Sequence, residues 1–99
     1  MTDDADPVIK HLRDQISDAD RQLIELVNRR LKLVEQLKRY KESRGIGFLD
    51  PEREEWMLSY LQRANSGPLS PAGLEELFAE LLALTKREVT RAEPPPVDT

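Results

Sequence analysis

Cysteine is absent from the 99 residues, which excludes a disulfide framework and any thiolate metal site. Histidine occurs once, as His11 near a helix start, and reads as a solvent-facing side chain rather than a metal ligand. No alternation of Val, Ile and Thr and no Asn-Gly turn marks a strand or a hairpin, which leaves helices. No apolar run approaches the length that spans a bilayer, and the opening Met-Thr-Asp-Asp-Ala-Asp-Pro is acidic where a secretory signal is cationic and then apolar. A cytoplasmic protein is expected. Positive charge is not in surplus either: 15 Lys and Arg against 19 Asp and Glu give a net charge of −4. That balance argues against general attraction to nucleic acid or to an anionic membrane, so any anion site must be a local cluster of cations.

What the chain does have is helical pattern, with 38% apolar and 34% charged residues in a length that allows one domain. The run from about Val8 to Ser43 reads as one unbroken helix. Taken in sevens, Leu12, Ala19, Leu26, Leu33 and Tyr40 form one row; Ile16, Leu23, Arg30 and Leu37 a second; Arg13, Asp20, Val27, Val34 and Lys41 a third. About 36 residues at 1.5 Å each make a rod of roughly 54 Å. A compact monomer of this length has a radius of gyration near ~13 Å. Nothing else in the chain is long enough to cover that face, so a second copy is expected along it.

Punctuation divides the remainder. Asp6 and Pro7 suit an N-cap and first helical position, and Gly45-Ile46-Gly47 ends the first helix in a short loop that could act as a lid. Asp50-Pro51-Glu52 opens a second helix of about fifteen residues with Trp56, Met57, Tyr60, Leu61 and Ala64 on its apolar face, closed by Asn65-Ser66-Gly67-Pro68. Ser70 caps a third, with Leu69 placed to staple onto Leu74 and a stripe of Leu74, Leu77, Phe78, Leu81, Leu82, Leu84, Thr85 and Val89. The expected fold is therefore all-α, one long helix followed by two shorter helices, in a helical dimer. Residues 1–7 form an acidic arm and 92–99 a Pro-rich tail, both expected to be disordered, around a helical domain over 8–91.

Cations stand where apolar residues belong. Arg30 lies between Leu23 and Leu37, and Arg13, Lys41 and Arg53 lie on or beside apolar faces. Arg forks fit carboxylates bidentately, so two Arg and a Lys converging in a partly dry cavity suit a small dicarboxylate; a phosphate is disfavoured because no Gly-rich loop follows a strand. The competing reading pairs the same cations with Asp14, Asp18, Asp20, Glu25, Glu35 or Glu54 as structural salt bridges. Arg30 argues against it most, since a seam cation with no seam carboxylate at its own level is costly.

The order Leu12-Arg13-Asp14-Gln15-Ile16, Leu26-Val27-Asn28-Arg29-Arg30, Lys38-Arg39-Tyr40-Lys41 and Asp50-Pro51-Glu52-Arg53-Glu54-Glu55 resembles the AroQ-type all-helical chorismate mutases, over roughly residues 8–90. The resemblance implies an intertwined homodimer with two equivalent sites that converts chorismate to prephenate, a Claisen rearrangement with no cofactor, no metal and no covalent intermediate. It further implies that Arg13 enters from the partner protomer to hold one carboxylate, Arg30 holds the other, and Lys41 donates to the ether oxygen. Asp50, Arg53 and Glu54 match the positions around the ring hydroxyl and its neighbouring carboxylate, with Glu54 as hydroxyl acceptor.

One departure stands out. The family's third helix usually carries Ser and, four residues later, a Gln that also donates to the ether oxygen, and here these positions are Thr85 and Val89. On a helical wheel Glu88 lies about 40° from Leu74 on one side and Val89 about 60° on the other, so Glu88 also faces the stripe. Some relatives use Glu in the Gln role, and a Glu donates only when protonated. The alternative for Glu88 is a surface pair with Arg91 or Lys86. Two further readings remain: the same fold acting on 4-amino-4-deoxychorismate or isochorismate, and a non-catalytic helical dimerisation module, which the Val89 departure favours and the four matched cations oppose.

Overall fold

The structure, a computed structural model, describes residues 6–92. They form α1 (Pro7–Ser43), α2 (Pro51–Ala64) and α3 (Pro71–Ala92), with no strand among the described residues. The all-α expectation, one long helix and then two shorter ones, is borne out. The acidic residues before Asp6 and the Pro-rich tail beyond Ala92 lie outside the described residues. The chain divides after Leu33 into two compact units, with α1 contributing to both.

Each helix begins on a side-chain cap. The Asp6 carboxylate accepts the Val8 N–H at 2.9 Å and the Ile9 N–H at 3.4 Å, while its carbonyl accepts from Lys10 at 2.9 Å. Asp50 accepts the Arg53 N–H at 3.1 Å ahead of Pro51, and Ser70 Oγ accepts the Gly73 N–H at 3.0 Å ahead of Pro71. Each cap satisfies a donor that the helix leaves open, a contribution of typically ~1 kcal/mol. At the start of α3, a Cβ on Gly73 would meet Leu69 Cδ1 at 2.9 Å, so glycine there makes room for Leu69 to fold over the first turn.

α1 ends in a Schellman motif. Gly45 takes a positive φ of 70°, the Ile46 N–H donates to the Lys41 carbonyl at 2.8 Å, and the Gly45 N–H donates to Glu42 at 3.1 Å. The α2–α3 connection is tied by Asn65, which accepts from the Gly67 N–H at 3.1 Å and donates to the Leu69 carbonyl at 2.8 Å, and by Gln62, which donates to the Pro71 carbonyl at 2.8 Å. These bonds set the hairpin in which α2 packs against α3.

The core belongs to α3, where Leu74, Phe78, Thr85 and Val89 are buried, and Leu81, Leu82 and Leu84 are half-buried. Leu77, expected on the same stripe, is exposed, because it lies about 90° from the centre of the buried arc. On α2 the half-buried residues are Met57, Leu58 and Leu61, whereas Trp56 and Tyr60 face solvent as a stacked pair 5.5 Å apart. α1 buries no residue. Its polar face carries local pairs, Lys10 with Asp14 at 3.4 Å, and Arg21 with Asp18 at 2.6 Å and Glu25 at 2.8 Å, each worth a few tenths of a kcal/mol at most on an exposed helix, roughly 0.3–0.5.

Candidate active site

Arg13 and Arg30 lie on the first unit, Arg13 exposed and Arg30 half-buried in the apolar row with Leu23. Burial holds the Arg30 guanidinium below its ordinary pKa by desolvation, although an arginine stays cationic at any working pH.

The remaining expected residues lie on the second unit. Lys41 is half-buried in the last turn of α1, and its own carbonyl is the one that the Schellman cap engages, so the turn that carries it is pinned. One turn earlier, Lys38 keeps only 16% of its side chain exposed and pairs with Glu42 at 3.6 Å. Arg44 stacks on Tyr40 at 5.6 Å. This cationic end of α1 suits the helix dipole.

Asp50, Arg53 and Glu54 are brought together by the first turn of α2. Asp50 caps the helix through its side chain and accepts the Glu54 N–H on its carbonyl at 3.2 Å. The Arg53 guanidinium lies over the Trp56 ring, 4.5 Å from its centroid, as a cation–π contact. Glu54 reaches across to α3 and pairs with Lys86 at 3.4 Å.

On α3, Thr85 is buried and its hydroxyl donates to the Leu81 carbonyl at 2.6 Å. Val89, at 3% exposure, is part of the core. Glu88 stands at the margin of the stripe, its side chain 35% exposed, in an ion pair with Arg91. That is the surface pairing weighed above for this residue. An open groove of about 450 Å³ runs along Lys86, Arg87, Thr90 and Arg91, and two of its three cations are already engaged, Lys86 by Glu54 and Arg91 by Glu88.

Four of the carboxylates in question have these pairings: Asp14 with Lys10, Asp18 and Glu25 with Arg21, and Glu54 with Lys86. Lys86 was not singled out from sequence as a partner of Glu54. The two are 32 positions apart and meet only because α2 folds back on α3. The Trp56 platform under Arg53 was legible in principle, since the two stand one turn apart on α2.

Residues 12–89 match the pattern of the family described as chorismate mutase type II. The bifunctional chorismate mutase/prephenate dehydratase of Pseudomonas aeruginosa is 34% identical over 80 residues, 76% of this chain and 22% of that protein. Its counterpart in Stutzerimonas stutzeri is 29% identical over 80 residues, again 22% of that protein. The chain thus spans about a fifth of the length of these curated relatives. The form II structure of chorismate mutase from Thermus thermophilus superposes with a TM-score of 0.80 at 30% identity, covering 87% of this chain and 98% of that one. A pattern that runs through all three helices, together with a solved counterpart matched almost from end to end, means that this chain belongs to the chorismate mutase type II family.

Proposed function

We propose that the chain catalyses the rearrangement of chorismate to prephenate as a homodimer with two shared active sites. The observation that carries this reading is Arg30, a guanidinium desolvated by partial burial in the apolar row of α1, where Leu23 and Leu37 are its neighbours in that row. A substrate carboxylate there would compensate the charge through a bidentate pair. The exposed apolar row of α1 supports the dimer, since a second copy would cover it and bring the partner subunit's Arg13 to the second carboxylate.

The reaction breaks the ether C–O bond and forms a C–C bond within one molecule, so the protein has two tasks. Clamping both carboxylates selects the folded conformer in which the reacting carbons touch. As the C–O bond lengthens, negative charge grows on the ether oxygen, and a fixed ammonium stabilises it more than the ground state. Lys41, on its pinned turn, takes that role. Asp50, Arg53 and Glu54 read the ring end, with Glu54 accepting from the ring hydroxyl, and Thr85 lines the site from α3. Glu88 is the second candidate donor at the ether oxygen, and it must leave Arg91 and take up a proton to serve. No step in this chemistry calls for a metal or an organic cofactor.

The test follows the loss of chorismate's ultraviolet absorbance, with 4-amino-4-deoxychorismate and isochorismate alongside. Turnover of chorismate to prephenate is expected. Turnover of one of the others alone would move the substrate, and turnover of none would remove the enzymatic reading. Mixing Arg13→Ala with Arg30→Ala protomers is expected to restore activity, because one site in each heterodimer then draws an intact Arg from each chain. No recovery after verified subunit exchange would count against the shared site.

A further inference from the structure

The pair between Glu54 and Lys86 has no counterpart in the reading of the site so far. It joins the first turn of α2 to the middle of α3 at 3.4 Å, with the Glu54 side chain 33% exposed and that of Lys86 48% exposed. The other charges at this end are committed elsewhere. Asp50 serves as the α2 cap, Arg53 lies on Trp56, and Glu88 faces Arg91. Lys86 is a cation in direct contact with the Glu54 carboxylate.

We propose that Lys86 is a specificity-determining residue of this site: by pairing with Glu54, it leaves a carboxylate that accepts from a neutral ring hydroxyl and disfavours a ring ammonium. The inference rests on the placement of Glu54 at the ring substituent in the proposed reaction. A carboxylate offers about four lone-pair sites on two oxygens, so it can hold Lys86 and still accept one hydroxyl hydrogen. A substrate ammonium would share the same carboxylate with Lys86, and two like charges would stand within about 6 Å of each other. Without Lys86, Asp50 and Glu54 would form an acidic pair that welcomes an ammonium. Partial exposure screens the effect, and for that reason a moderate discrimination is expected rather than an absolute one.

The test compares kcat/KM for chorismate and for 4-amino-4-deoxychorismate in the full chain, in Lys86→Gln and in Lys86→Arg. The wild type is expected to prefer the hydroxyl substrate. Lys86→Gln is expected to narrow that preference about tenfold, chiefly through a lower KM for the amino substrate. Lys86→Arg keeps the charge and is expected to keep the preference, so that a narrowed ratio in Lys86→Gln alone, which a merely structural role for the side chain would not predict, is assigned to the charge. Chorismate turnover with an unchanged ratio in Lys86→Gln would overturn the inference and leave the proposed function standing. An equal loss for both substrates would mean that Lys86 binds a feature they share, and would overturn it too. Failure of the wild type to turn over chorismate would take down the proposed function and this inference together.

Discussion

α1 and α3 carry apolar rows of the same kind, yet they end in opposite states. α3 buries Leu74, Phe78, Thr85 and Val89, whereas α1 buries nothing and leaves Leu12, Ile16, Leu23, Leu26, Leu33 and Leu37 about half exposed. Propensity does not explain the contrast, since both are long helices of good formers. α3 is covered because a hairpin of its own chain returns α2 to it. α1 is longer than anything available to cover it. A continuous apolar row left open on a helix marks an interaction surface. The same physics thus assigns the two helices different work: α3 holds the protomer together, and α1 holds something else.

The contrast is broken most directly at Arg30. If the charge is kept in the row for substrate, Arg30→Ala leaves the helix content unchanged by circular dichroism and lowers kcat/KM for chorismate by at least about a thousandfold, roughly 4 kcal/mol. Activity within tenfold of wild type would return Arg30 to a structural role and leave the apolar row as a packing surface alone.

The row itself can be tested next. Leu23 is 54% exposed in the protomer, so an isolated helix would tolerate a polar residue there to within about 0.5 kcal/mol. If a second copy covers it, Leu23→Asp places an unpaired carboxylate in an apolar seam. It should then cost at least about 3 kcal/mol and shift the protein to monomer in sedimentation. Lys32→Ala, about 180° round the helix, serves as the control and should do neither. The wild-type melting temperature should also rise with protein concentration. A concentration-independent melt with a silent Leu23→Asp would make α1 a solvated rod.

How much of this was legible beforehand follows the range of each signal. Caps are local, so Asp6, Asp50, Ser70 and Gly45 stand where the sequence placed them and the helix ends with them. Periodicity is nearly as local, and it located the α3 stripe but overextended it to Leu77, because a wheel cannot say how wide an arc the neighbour covers. On α2 the same limit merged two faces that the structure separates, with Trp56 and Tyr60 outside and Met57, Leu58 and Leu61 within. The pairing of Lys86 with Glu54 depends on how α2 and α3 are brought together, and no spacing rule reaches across that fold. The roles of the site residues came from the family pattern. Chemistry of residue type alone pointed only to a dicarboxylate.

The smallest effect is expected at the position where this chain departs from its family. Val89 is 3% exposed and stands one turn beyond Thr85, itself 5% exposed, so it is a core residue in the protomer. Val89→Gln would offer the ether oxygen a second donor, and one good hydrogen bond to developing charge is worth up to ~3 kcal/mol. The amide must first enter a packed apolar surface, and the part of it that finds no partner costs about 1–3 kcal/mol. The two terms oppose each other. The expected result is a melting temperature lowered by the equivalent of about 1–2 kcal/mol with kcat raised by no more than about tenfold. Glu88→Ala and Glu88→Gln together separate the neighbouring candidate: if the pair with Arg91 is all that Glu88 provides, kcat stays within about twofold in both, since losing an exposed ion pair costs ~0–1 kcal/mol and touches no reacting atom. A fall in Glu88→Ala that Glu88→Gln, whose amide also donates, does not share would place Glu88 at the ether oxygen, and a gain near a hundredfold in Val89→Gln would show that Lys41 alone leaves that oxygen under-supplied.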